Sequence, residues 1–167
     1  MNRPRDSKKT YILLGTYCIL LIWIILFKMS ALSEIVHLSH IRNINLIPFH
    51  YDEERAYHLS EVINNIVIFV PFGVYLKMLK LRSRNVIVYG AGFSLVLEIM
   101  QFILGIGATD ITDVITNTTG TVIGAGIYCI LSLVFQKNEK LDKVLHILAS
   151  ICTILLLAFI ALLFLSN

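Results

Sequence analysis

Apolar side chains dominate five long stretches of the chain, Tyr11–Phe27, Val62–Met78, Val86–Leu104, Thr118–Phe135 and Val144–Leu165. At about 1.5 Å per residue, a helix of about 17 residues or more crosses the hydrocarbon core of a bilayer. The pattern predicts an all-α, polytopic integral membrane protein, a bundle of about five transmembrane helices. The first stretch follows Arg3, Arg5, Lys8 and Lys9, which is also how a secretory signal peptide begins. Its length, its aromatic content and the closing Lys28 favour a retained anchor. The second carries Asn64, Asn65, Pro71 and Gly73, a polarity suited to a helix packed inside a bundle rather than one surrounded by lipid. The fifth is almost wholly aliphatic and is expected to face lipid.

Polar positions inside the apolar stretches are few and patterned. In the third, Gly90, Ser94, Glu98, Gln101 and Gly105 follow one another at spacings of four, four, three and four, which draws a small and polar stripe down one helical face. An ionised carboxylate at membrane depth costs about 2.5 to 3.5 kcal/mol on insertion scales, so Glu98 must be protonated, paired or turned toward a wet cavity. The plain structural alternative is a neutral acid hydrogen-bonded across the bundle. Ahead of the fourth stretch, Asp110, Asp113 and Asn117 stand at i, i+3 and i+7 and form one polar edge if a helix begins near Asp110. Thr109 or Asp110 is equally a good N-cap, and acids in a first turn complement the helix dipole. Gly120 and Gly124 make a GxxxG spacing, read as close helix packing without chemistry. Asn64, Asn65, Glu98, Gln101, Asp110, Asp113 and Asn117 are all expected near one depth, in the outer half of the bilayer.

Charge sets the direction. With the N-terminus inside, the inner side holds Arg3, Arg5, Lys8, Lys9, Lys77, Lys80, Arg82, Arg84, Lys137, Lys140 and Lys143, leaving Lys28, Arg42 and Arg55 outside, a split of eleven against three. An excess of Lys and Arg marks cytoplasmic loops, which predicts N-inside and C-outside. Residues 1–10 are then a cytoplasmic basic N-terminus, 11–167 a single transmembrane domain, and 28–61 an external loop. The location is the cell membrane, as a multi-pass protein.

Composition agrees: 57% hydrophobic residues against 15% charged is too apolar for a soluble domain. The net charge of +3 lies in clusters beside the apolar stretches, so nucleic acid is not an expected partner. Cys18, Cys129 and Cys152 lack metal-ligand spacing and read as small core hydrophobes. The loop histidines His37, His40, His50 and His58 read as solvated rather than metal-bound, and no cofactor is expected.

Three blocks carry a resemblance: Asn45-Leu46-Ile47-Pro48-Phe49, then Asn65 through Gly73 (NIVIFVPFG), then Glu98-Ile99-Met100-Gln101-Phe102 running through Gly107-Ala108-Thr109-Asp110 to Thr118. In order and spacing they resemble the VanZ-like family, whose founding member is a membrane protein associated with resistance to the lipoglycopeptide teicoplanin. Many family members carry Arg shortly before the first aspartate of the third block, where this chain has Ile106, Gly107 and Ala108, so no role for that arginine carries over. Thr121 replaces the second glycine of an Asn-Thr-x-Gly-Gly pattern. The resemblance implies a contribution to teicoplanin or lipoglycopeptide tolerance in the envelope of a Gram-positive cell.

Two main functions compete. In one, Asn45, Asn65, Glu98, Gln101, Asp110, Asp113 and Asn117 form an outer-leaflet polar pocket that binds a lipid-linked cell-wall intermediate or the lipid tail of the antibiotic, among ordinary membrane lipids. In the other, a membrane-embedded enzyme acts on a lipid-linked or phospholipid substrate, with Glu98 as catalytic base and Asp110 with Asp113 as ligands of a divalent metal. No HExxH, GxSxG or P-loop is present, so familiar hydrolases and nucleotide-driven pumps are not supported. A proton-coupled carrier is a third reading, against which stands the lack of any inverted repeat.

Overall fold

A computed structural model describes residues 4–27, 44–49, 55–106, 109–135 and 138–166. These form five helices and two short strands: α1 (Pro4–Phe27), β1 (Ile44–Asn45), α2 (Arg55–Met78), α3 (Ser83–Leu104), β2 (Thr109–Asp110), α4 (Ile111–Phe135) and α5 (Asn138–Ser166). Four segments within them, Lys8–Leu26, Leu59–Met78, Ser83–Leu104 and Ile111–Phe135, are long and apolar enough to cross a membrane. The chain is therefore an all-helical, multi-pass membrane protein with a single two-residue ladder among the described residues.

Several helices start earlier than their apolar stretches. Pro4 opens α1 within the basic segment, since proline in a first turn forfeits no helical hydrogen bond. α2 starts at Arg55, so His58 belongs to a helix and not to the expected loop; His37, His40 and His50 lie outside the described residues. α4 starts at Ile111, ahead of the apolar stretch from Thr118, with Asp110 capping it, so that Asp113 and Asn117 lie on its first two turns. Hydropathy misses such turns: capping and packing, not apolarity, decide where a helix begins.

The bundle is built on contact between α2 and α4. A Cβ placed on Gly120 would lie 2.1 Å from the Ile66 carbonyl oxygen, and one on Gly124 1.9 Å from that of Val70. Reciprocally, a Cβ on Gly73 would lie 1.9 Å from the Thr121 carbonyl oxygen. The GxxxG spacing is thus a packing device that seats one parallel backbone against another. Gly90 of α3 rests on the Thr121 side chain. Thr121, where the family pattern has glycine, thereby fills the seam between α3 and α4.

Leu21, Phe69, Phe72, Leu76, Val86, Leu97 and Ala125 form the core, with Phe93 stacked on Phe72 at 5.1 Å between ring centroids. α1 joins through the Tyr17 hydroxyl, which donates to the Ile68 carbonyl in the turn before Pro71. α5 is pinned at its start: the buried Tyr128 hydroxyl donates to Asp142 Oδ1 at 2.9 Å, and Thr10 Oγ1 lies 2.8 Å from His146 Nε2. Beyond those turns Ile147, Leu148, Ile151, Ile154 and Leu155 of α5 are exposed. Cys129 and Cys152 are exposed too, a correction to their reading as core residues; a thiol is apolar enough to sit against acyl chains.

The basic residues gather in space. The Thr10–His146 and Tyr128–Asp142 contacts bring the starts of α1 and α5 to the end of α4, and the turn at 79–82 lies between α2 and α3 at that same end. Lys8, Lys9, Lys77, Lys80, Arg82, Arg84, Lys140 and Lys143 therefore occupy one end of the bundle.

Candidate polar site between α2, α3 and α4

At the opposite end, the stripe anticipated on α3 is real: Gly90, Ser94, Glu98, Gln101 and Gly105 are all buried on one face. Gly105 closes the helix at φ 67°, a left-handed conformation that glycine adopts without a Cβ clash. The chain then turns back, and Asp110 returns to α3, where its backbone N–H donates to Glu98 Oε2 at 2.9 Å. Thr109 Oγ1 donates to the Glu98 carbonyl at 3.2 Å. Glu98, only 1% exposed, thus accepts a backbone donor that precedes α4.

Asp110 works in two directions. Its Oδ1 accepts the Thr112 N–H at 2.7 Å, the N-cap geometry that starts α4, while Oδ2 accepts Asn45 Nδ2 at 3.1 Å. β1 and β2 pair in parallel, with Ile44 opposite Thr109 and Asn45 opposite Asp110. Asn45 Oδ1 accepts the Ile47 N–H at 3.1 Å, and Thr112 Oγ1 accepts the Phe49 N–H at 3.0 Å. Phe49 takes φ 57°, uncommon for a bulky residue. The Asn45–Phe49 block is therefore stitched onto the first turn of α4.

One turn deeper, Asn65 Nδ2 of α2 donates to Asp113 Oδ1 at 2.8 Å. Asn117 Nδ2 donates to Ser94 Oγ at 2.9 Å across the α3–α4 seam. Thr116 Oγ1 donates to the Asp113 carbonyl at 3.2 Å and Thr121 Oγ1 to that of Asn117 at 3.0 Å. Asn117 Oδ1 is buried with no hydrogen-bond partner among the described residues. A buried acceptor without a donor costs about 1–3 kcal/mol, so this oxygen stands out in an otherwise satisfied ladder.

The anticipated residues thus divide. Asn45, Glu98 and Asp110 form one connected group. Asn65 with Asp113, and Ser94 with Asn117, form a second on the same first turns of α4. Gln101 is directed elsewhere: its Nε2 donates to the Ile25 carbonyl of α1 at 3.2 Å, and its Oε1 is buried without a partner among the described residues. Asn64 is exposed, since one residue's step turns it about 100° from Asn65. Asn45, Asn65, Asp110 and Asp113 are half-buried at the rim, whereas Glu98 and Asn117 lie fully behind them.

The hydrogen bonds of Thr112 and Thr116 leave no signal in the sequence. Threonines on an apolar helix usually bond their own backbone, and only the pairing of Asn45–Phe49 with α4 reveals Thr112 as a receptor. For the metal reading, the described residues contain no group of three or more His, Cys, Asp or Glu able to hold an ion. The three carboxylates accept hydrogen bonds from protein donors, an arrangement that does not favour the enzymatic alternative.

The VanZ/LLP1 family model matches residues 14–136. Protein VanZ of Enterococcus faecium is 38% identical over 149 residues, covering 88% of this chain and 89% of that relative. No solved structure matches the chain. The matched span takes in α2, α3 and α4 with every residue of the polar ladder, and on that agreement the chain belongs to the VanZ family.

Proposed function

We propose that this protein raises tolerance to teicoplanin and related lipid-tailed glycopeptides by binding a lipid-linked cell-wall intermediate, or the lipid tail of the antibiotic, at the polar ladder. Membership of the VanZ family supports the resistance role. The observation that carries the binding role is the convergence of Asn45, Asn65, Asp110 and Asp113 as a half-buried rim from three separate segments, over a fully buried Glu98 and Asn117. Polar groups at membrane depth are expensive, and such a set supports recognition of polar ligand atoms there. The rim would take hydroxyl or amide groups of the ligand, while the surrounding bilayer accommodates the tail.

In this reading α5 is a fifth span, and the chain runs N-inside to C-outside in the cell membrane. The gathering of Lys8, Lys9, Lys77, Lys80, Arg82, Arg84, Lys140 and Lys143 at one end supports that direction, in which the polar ladder belongs to the outer leaflet. Growth inhibition tests the reading. Expression in a susceptible Gram-positive host should raise the inhibitory concentration of teicoplanin more than that of vancomycin, which lacks the lipid tail. Equal protection against both, or none at normal membrane abundance, would overturn it.

A further inference from the structure

A second feature lies at the basic end, away from the polar ladder. Between α1 and α5 runs a crevice of about 440 Å³ lined by Lys9, Ile12, Leu13, His146, Ile147, Ser150, Ile151 and Ile154. Its composition is graded along the membrane normal. Lys9 and His146 stand nearest the basic end, and Ile12, Ile147, Ile151 and Ile154, all at least half exposed, line the crevice beyond them, with Ser150 between Ile147 and Ile151 along α5. The Thr10–His146 contact fixes the two walls relative to each other across 136 positions of sequence.

Lys8 is adjacent on α1, and Lys143 stands one helical turn before His146 on α5, so further cations surround the mouth. Asp142, one turn before His146, is buried and accepts the Tyr128 hydroxyl. Glu139 is the described acid that remains exposed in the first turn of α5, against Lys9, Lys140 and Lys143.

We propose that this crevice is a binding site for one anionic phospholipid, its phosphate held at Lys9 and one acyl chain lying along Ile12, Ile147, Ile151 and Ile154. The charge at the mouth selects a negative headgroup over a zwitterionic one, and the isoleucine-lined floor selects a lipid over a free phosphate. Basic pockets between membrane helices are where such headgroups bind. With N inside, the lipid belongs to the inner leaflet, so the site is separate from the proposed outer-leaflet recognition of the ladder.

Native mass spectrometry of the purified protein, titrated in detergent with dioleoyl phosphatidylglycerol or dioleoyl phosphatidylcholine, tests this. The wild type should retain one phosphatidylglycerol in preference to phosphatidylcholine. Lys9→Gln should weaken that retention about fivefold, the effect of about one surface cation. Ile151→Trp, at an exposed position that tolerates bulk, should fill the floor and abolish retention, while Arg84→Gln, at the same end but outside the crevice, should behave as wild type. Equal retention of the two lipids by the wild type would overturn the proposal. So would wild-type retention by Lys9→Gln and Ile151→Trp, and so would retention of inorganic phosphate as strongly as lipid.

Discussion

The backbone N–H of Asp110 donates to Glu98 Oε2 at 2.9 Å, so a carboxyl buried within α3 holds the residue that caps α4. The bond ties together two features that look unrelated in sequence, an intramembrane acid and a helix start. It also makes Glu98 the structural link between the α3 stripe and the Asn45–Phe49 block, which Asp110 meets through Asn45.

Substitutions of Glu98 separate its acceptor role from its acidity. Glu98→Gln keeps an oxygen for the Asp110 N–H and should leave membrane abundance and thermal stability near wild type. Glu98→Leu removes the acceptor and should cost about 1–3 kcal/mol, seen as a lower thermal midpoint in detergent. If Glu98→Gln also leaves teicoplanin tolerance unchanged, Glu98 has no role as an acid or base. Loss of tolerance at normal abundance in that variant would show that ionisation is used.

Helix packing makes a sharper stability prediction. Gly124→Leu drives its Cβ into the Val70 carbonyl, and the backbone cannot yield as a flexible side chain would. The α2–α4 contact should open, with loss of monodisperse protein in size-exclusion chromatography. Gly126→Ala, with nothing within 4 Å of its added carbon, should be neutral or stabilise α4 by up to about 1 kcal/mol through helix propensity. Equal tolerance of both changes would contradict the close approach of the two backbones.

The contrast between these glycines marks what the sequence makes legible. Gly120 and Gly124 announce themselves by spacing, and Gly90 through Gly105 by a single helical face, because each pattern is local to one helix. The long apolar helices and the basic clusters are legible for the same reason. Asn64 and Asn65 are not distinguishable by local pattern, since which one faces the bundle depends on the rotation of α2, set by Gly73 and Phe69 against α4 and α3. Likewise Gln101 shares the Glu98 stripe yet turns to α1, whose position no periodicity of α3 encodes. The β1–β2 ladder is two residues long and leaves no alternation to read.

Single-cysteine accessibility tests the direction of the bundle. In a background with Cys18, Cys129 and Cys152 replaced, a cysteine at Ser83, on the basic end, should react with an impermeant reagent only after the membrane is breached. One at Leu46, 72% exposed beside the polar ladder, should react in intact cells. The reverse pattern would place the ladder in the inner leaflet and remove its access to external drug.

The Asn65–Asp113 pair is accessible to a double-mutant cycle. Asn65→Ala, Asp113→Ala and the double variant should show a coupling of about 0.5–3 kcal/mol in thermal or denaturant stability, as for directly bonded neighbours. Strict additivity would mean that the 2.8 Å contact contributes nothing between α2 and α4.

The inhibitory concentration of teicoplanin for cells carrying Asp113→Asn, measured beside membrane abundance and thermal midpoint, bears most directly on whether the polar ladder is the functional site. This change keeps an acceptor oxygen for Asn65 and replaces the other carboxylate oxygen with an amide NH2 group. Tolerance should fall toward that of cells lacking the protein, while abundance and thermal midpoint stay near wild type. Full teicoplanin tolerance at wild-type abundance, or a loss of tolerance that merely follows a loss of abundance, would contradict a recognition role for the ladder and leave it as packing.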